Sequence, residues 1–221
     1  MSTTCKFSAY WHVDDNIKHS SGKHLQESHN KNLDYFISEV PHDIPNNILM
    51  KFEDLPSLKY IKNLRSFCEE REYVYLKFNA KIKSEAFFKL ATIWTSKILL
   101  FQTVLNHTNA DNIIWVDCVR AKNLDAITAK ESKDHCTINC YPINEMPNTI
   151  FGGMINNILP SKKILAQVIK IPRKIITEFT DNYINCLIDI DNSLPIYDEE
   201  VVLSIMLEKH SNLFNIINPN E

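Results

Sequence analysis

Glycine is nearly missing from this chain, with three in 221 residues, and two of those are adjacent at Gly152-Gly153. Glycine-rich phosphate loops are therefore excluded, and neither GxGxxG nor GxxxxGK[ST] occurs. GxSxG and HExxH are also absent, which removes the commonest serine-hydrolase and zinc-protease signatures. No apolar run approaches the ~20 residues of a membrane-crossing helix. The opening "MSTTCKFSAYWHVDD" lacks a basic segment followed by an apolar one, so no secretory signal is expected. Charge of one sign is missing too. A net charge of -3 with no polybasic block argues against nucleic acid as a partner and against an anionic membrane surface. The six cysteines (Cys5, Cys68, Cys118, Cys136, Cys140 and Cys186) are scattered rather than dense. Free thiols of a cytoplasmic protein are expected.

What is present is an ordinary globular composition, 44% hydrophobic and 23% charged, with no internal repeat and no low-complexity linker. A single domain is preferred. Strand character is predicted for Lys6–Val13, Asn47–Glu53 and, at an edge, Glu72–Ala80. Helical spacing is predicted for Leu25–Ile37, Ser57–Glu70 and, as one long buried helix, Ser84–Leu105. The run "NIIWVDC" then reads as a strand covered on both faces. Strand, helix, strand, helix, buried helix and apolar strand is the rhythm of an α/β protein with a central, mainly parallel sheet flanked by helices. Further on, "CTINCYPI" and "NYINCLIDID" read as strands, and "KKILAQVIKIPRKIITEFTDNY" as helix broken near Pro172. "YDEEVVLSIMLEKH" reads as a helix capped by Asp198, with Val201, Val202, Ile205 and Met206 buried.

Chemistry is expected where that rhythm places polar groups at strand ends. Asp117 closes the apolar run Ile113–Val116, at the carboxyl end of a central strand, where open α/β sheets bind ligands. It either meets a metal–diphosphate or a sugar hydroxyl, or caps the next turn in water. Gly152 and Gly153 either let backbone amides approach a ligand or form an ordinary tight turn. In "YDEEVV", Asp198 and Glu199 complement the helix dipole, and either also accepts a proton from an acceptor hydroxyl or serves only as a cap. Tyr10, Trp11 and His12 end the first strand, as base-stacking groups or as core aromatics. His135, Cys136 and Cys140 fall short of a four-ligand zinc site.

Three segments, "KLATIWTSKILLFQTVLNHTNADNIIWVDC", "IFGGMINN" and "YDEEVVLSIMLEKHSNLFNI", occur in an order and spacing that resemble GT-A-type glycosyltransferases. The chain looks most like the HtrL/YibB-type group of bacterial glycosyltransferases, over roughly residues 84–216. The resemblance implies a GT-A-like domain spanning 1–221, with a nucleotide-binding half at 1–120 and an acceptor-side half at 121–221. It implies transfer of a sugar from a nucleotide-sugar donor to a surface-glycan or lipid-linked acceptor in polysaccharide biosynthesis. Peripheral membrane association is compatible with it. Tyr10, Trp11 and His12, with the loop after Val13, would then face the nucleotide. Lys97 would reach a phosphate or snorkel from its helix end. Asp117 would be the metal acid, with Mn²⁺ or Mg²⁺ as cofactor. Gly152, Gly153 and Asn156 would lie beside the donor sugar, and Asp198 and Glu199 would be catalytic. The chain departs from the family at Asp117-Cys118-Val119, which has no second acid. Arg120 follows, a cation able to neutralise a leaving diphosphate. A non-catalytic α/β module on a degenerate transferase fold, binding a glycan or a protein, is the alternative.

Overall fold

The apolar run that starts at Asn112 is the middle strand of a seven-stranded sheet. The computed structural model describes residues 2–13, 33–42, 44, 46–75, 81–117, 124–131, 133–142, 162–193 and 198–217. In chain order the strands are β1 (Thr4–Tyr10), β2 (Tyr35–Ser38), β3 (Asn47–Leu49), β4 (Tyr73–Tyr75), β5 (Lys81–Lys83), β6 (Asn112–Val116), β7 (Cys136–Pro142), β8 (Lys162–Pro172) and β9 (Phe214–Ile217). The α-helices are α1 (Lys62–Glu69), α2 (Ser84–Ser96), α3 (Leu100–Leu105), α4 (Leu124–Ala129), α5 (Ile176–Ser193) and α6 (Glu199–Lys209).

The sheet order is β3-β2-β1-β6-β8-β7-β9. β3, β2, β1 and β6 run parallel, β8 is antiparallel to both β6 and β7, and β7 is parallel to β9. The expected α/β class with a mainly parallel sheet flanked by helices is thus observed. β6 is buried along its whole length because its two faces enter different cores. Ile113 and Trp115 join a large core with α1, α2, α3, α5 and α6. Ile114 and Val116 join a smaller one with Phe36, Val168 and Ile127 of α4. A strand sandwiched in this way needs apolar residues at consecutive positions rather than at alternate ones.

Several expectations are corrected. Tyr35–Ser38, the end of the expected helix Leu25–Ile37, is a strand paired with β1, since "YFIS" is aromatic and β-branched. Residues 25–32 lie outside those described. The segment "KKILAQVIKIP" is β8 rather than helix, and "NYINCLIDID" belongs to α5 rather than to a strand. The apolar residues of β8 serve both faces, so their run mimics a buried helix. In α5 the polar–apolar alternation near its end hides the helical spacing of Phe179, Tyr183, Leu187 and Ile190, all buried. Of the expected edge strand Glu72–Ala80, Tyr73–Tyr75 forms β4, paired antiparallel with β5 in a separate two-stranded sheet, and residues 76–80 lie outside those described.

The long buried helix is also broken, at Lys97-Ile98-Leu99, without glycine or proline. The Thr92 and Thr95 hydroxyls donate to the carbonyls four residues back, at Phe88 and Ala91. Tyr183 Oη takes the Thr95 carbonyl at 3.1 Å, and Lys97 N–H turns to Trp94, three residues back. Such competing bonds loosen a helix and bend it.

The first turn of α1 is capped from a distance. Asp191 of α5 accepts the N–H of Asn63 at 2.9 Å and of Leu64 at 3.2 Å, and no side chain at the local N-cap does so. Asp191→Ala is expected to lower stability by about 1–2 kcal/mol in urea denaturation, with Asp191→Asn losing less. Equal stability of Asp191→Ala and wild type would show that the cap is not formed in solution.

Cys5, Cys68, Cys136, Cys140 and Cys186 are buried and in no disulfide among the described residues. Burial, reinforced by Asp34, pushes Cys5 up to about 11, and burial pushes Cys68 up to about 11. At neutral pH each is thiolate in only about one molecule in ten thousand. A disulfide-exchange reagent is therefore expected to label these five only on unfolding. Rapid labelling of any of them in the native protein would contradict the burial.

Candidate active site at the sheet's carboxyl edge

β1 has β2 on one side and β6 on the other, so the strand order reverses between β1 and β6. In open α/β sheets this reversal leaves a crevice outside the carboxyl ends of the two strands. Asp117 immediately follows β6 at that edge. Its backbone N–H stays tied to the Gln167 carbonyl of β8 at 2.8 Å, and its side chain is half-buried.

Beside it lies Lys97, in the break between α2 and α3 and only 7% exposed. Its ammonium donates to a Glu199 carboxylate oxygen and to the Ala166 carbonyl at 3.2 Å. It also sits 5.2 Å from the ring centroid of Trp115, the residue two before Asp117 on β6. Lys97 therefore neither snorkels to solvent nor stands ready for a phosphate, because the break turns it inward onto α6. Burial by itself would push this ammonium down. Glu199, then Asp117, then Glu200 outweigh that and hold it above its ordinary value. Burial raises the Glu199 carboxyl, Lys97 opposes, and Glu200 adds to the rise. Lys97 and Glu199 thus each hold a proton more tightly than usual.

The acids of α6 are set by its N-terminus. Asp198 is the N-cap, accepting the Glu200 N–H at 2.7 Å, as its position before the helix predicts. Glu199, 5% exposed, faces Lys97. Glu200 accepts the Ala166 N–H at 3.1 Å, and Ser204 one turn later accepts the Ile164 N–H at 3.1 Å. Glu200 binds where the sheet ladder slips. Ile138 pairs with Ile169 but Asn139 pairs with Leu165, so Ala166, Gln167 and Val168 have no partner on β7. A polar backbone that leaves the ladder needs other partners. Sequence reasoning missed Glu200 in this role, as well as the Ala166 backbone. The only local sign was the acidic trio itself, which a helix dipole already explains. Asn139, 1% exposed, keeps both amide atoms unpartnered beside the slip, and Thr137 Oγ1 and Trp115 Nε1 are also unpartnered.

The expected aromatic trio divides. Trp11 is 3% exposed and its indole donates to the Met50 carbonyl at 3.1 Å, so it is a core residue rather than a stacking platform. Tyr10 is half-buried and His12 exposed, with Tyr10 Oη 3.4 Å from His12 Nδ1. Arg120, Gly152, Gly153 and Asn156 lie outside the described residues. Among the described residues, no group of three or more histidines, cysteines or acids is arranged to hold a metal.

No family model and no curated protein matches the chain. Among solved structures it is similar to CMP:2-keto-3-deoxy-manno-octonic acid synthetase complexed with CTP. The identity is 8% and the TM-score 0.48, over 98% of this chain and 90% of that one. At that level the likeness is one of layout and carries no chemistry. Among the described residues no helix is long and apolar enough to cross a membrane.

Proposed function

We propose that this chain is a nucleotide-sugar-dependent glycosyltransferase of GT-A type and HtrL/YibB-like character, folded as one domain. The observation that supports the reading best is Asp117 at the reversal of strand order, beside the buried Lys97–Glu199 pair. In this reading the 1–120 half takes the nucleotide, with Tyr10 and His12 on the nucleoside side of the crevice. Asp117 faces the diphosphate, Arg120 neutralises it as it leaves, and Gly152, Gly153 and Asn156 border the donor sugar. The 121–221 half takes a glycan or lipid-linked acceptor, in the cytoplasm.

In this reading the α6 acids lie beneath the crevice. Asp198 is occupied as a cap and Glu199 is paired with Lys97, so they form the floor of the site and fix its charge. A divalent ion would have Asp117 as its protein ligand, with diphosphate oxygens and water completing the sphere. When bound, such an ion supplies charge neutralisation for the leaving diphosphate.

A thermal-shift panel of nucleotide diphosphates and nucleotide sugars, with and without Mn²⁺, tests the reading. One nucleotide class at 100 times its Kd is expected to stabilise by about 2.7 kcal/mol, and its sugar is expected to be hydrolysed slowly. No shift with any of them would end the proposal. The second reading, a non-catalytic glycan- or protein-binding module, is favoured by the missing second acid in Asp117-Cys118-Val119 and by the pairing of Glu199 with Lys97. Binding without donor hydrolysis at any metal concentration would establish it instead.

A further inference from the structure

We propose that Glu200 is a positioning residue whose bond to the Ala166 N–H sets the first turn of α6 against β8, and through it the placement of Lys97 and Asp117. The functional consequence rests on the donor-site reading above. The geometry itself does not.

Ala166 lies beyond the β6 pairing, which ends at Val168 with one further bond from Asp117 to Gln167, and it is skipped by β7. Its two backbone groups are both satisfied by side chains. The N–H goes to Glu200 on α6, and the carbonyl goes to Lys97 in the α2–α3 break. Lys97 in turn is held by Glu199, the neighbour of Glu200 on the same helix turn. Glu200, Ala166, Lys97 and Glu199 therefore form a closed ring joining one strand, one helix and one helix break. The next residue on β8, Gln167, supplies the carbonyl that anchors the Asp117 N–H at 2.8 Å.

One link thus controls two placements. Without Glu200, the ring opens at the strand. The Ala166–Gln167 segment then loses its direct bond to α6 and keeps only the Ser204 bond to Ile164 and the Lys97 bridge to Glu199, so both Lys97 and the Asp117 anchor can shift. A carboxylate is not required for the link, because an amide oxygen accepts the same N–H. That separates a positioning role from a role of charge.

The test uses the full chain, with Glu200→Ala and Glu200→Gln, and three readouts. The first is affinity for uridine or guanosine diphosphate, whichever binds the wild type. The second is the ¹H–¹⁵N signal of the Lys97 ammonium, and the third is the melting temperature. Glu200→Ala is expected to weaken the diphosphate about 10-fold and to shift or abolish the Lys97 signal. Glu200→Gln is expected to restore affinity to within about 3-fold and to return the signal. If Glu200→Ala fails to fold, Glu200→Asp, one methylene short of Ala166, takes its place with the same expectations.

The proposal is overturned if Glu200→Ala lowers only the melting temperature, or if Glu200→Gln is as damaging as Glu200→Ala. Should the wild type bind no nucleotide diphosphate, the donor reading fails and the Lys97 signal alone decides. An unchanged signal in Glu200→Ala then overturns the positioning role.

Discussion

Asp117→Asn is expected to lower turnover by about 10²–10³-fold while leaving the fold intact. Its backbone is held by the bond to Gln167, and its side chain is half-buried beside Lys97. Asparagine matches it in shape, so the stability change is expected to stay within about 0.5 kcal/mol. What the substitution removes is one negative charge at the mouth of the crevice, where a diphosphate and its counter-ion would meet the protein. Weaker binding of the nucleotide diphosphate should accompany the lost turnover. Donor hydrolysis, transfer and thermal shift, measured on one preparation, read all three quantities. A variant that unfolds, or one that turns over normally, would remove Asp117 from the site.

Lys97→Met is expected to have the largest effect on stability. It leaves the Glu199 carboxylate, 5% exposed, without its cation. Breaking a buried pair from one side costs about 3–5 kcal/mol, because the remaining charge can neither hydrate nor pair. For a chain of this size, that corresponds to a melting temperature lower by roughly 10 °C. The double variant Lys97→Met with Glu199→Gln removes both charges and should recover most of the loss. Urea denaturation of the four proteins in the cycle measures the coupling directly. A single variant within about 1 kcal/mol of wild type would mean that the pair is open to water in solution. The two predictions also separate the two sides of the cluster. Asp117 affects activity with little change in stability, and Lys97 affects stability first.

Where the site's parts lie along the chain was partly legible beforehand. Asp117 could be placed because β6 is a short apolar run with an abrupt polar end. The Asp198 cap could be placed because capping is a contact within four residues. Gly152, Gly153, Asn156 and Arg120 were named from sequence and lie outside the described residues. The role of Lys97 was not legible. Its turn depends on Tyr183 occupying the Thr95 carbonyl from 88 residues away, and its partner Glu199 lies 102 residues away. For Trp11 the sequence left stacking and core packing both open, since an aromatic at a strand end looks the same from sequence whether it faces a ligand or Met50.

By itself, then, the sequence determined the elements whose signals are local. These were the α/β rhythm, the doubly buried β6 with an acid at its end, and the capped helix α6. Only the tertiary structure decided that "KKILAQVIKIP" is a strand and that the long apolar helix breaks at Lys97. It alone brought Lys97, Asp117, Glu199 and Glu200 together. The physical reason is common to all of these. Residues buried on every side carry no periodicity that distinguishes helix from strand, and an ion pair is defined by a distance in space that spacing along the chain does not encode.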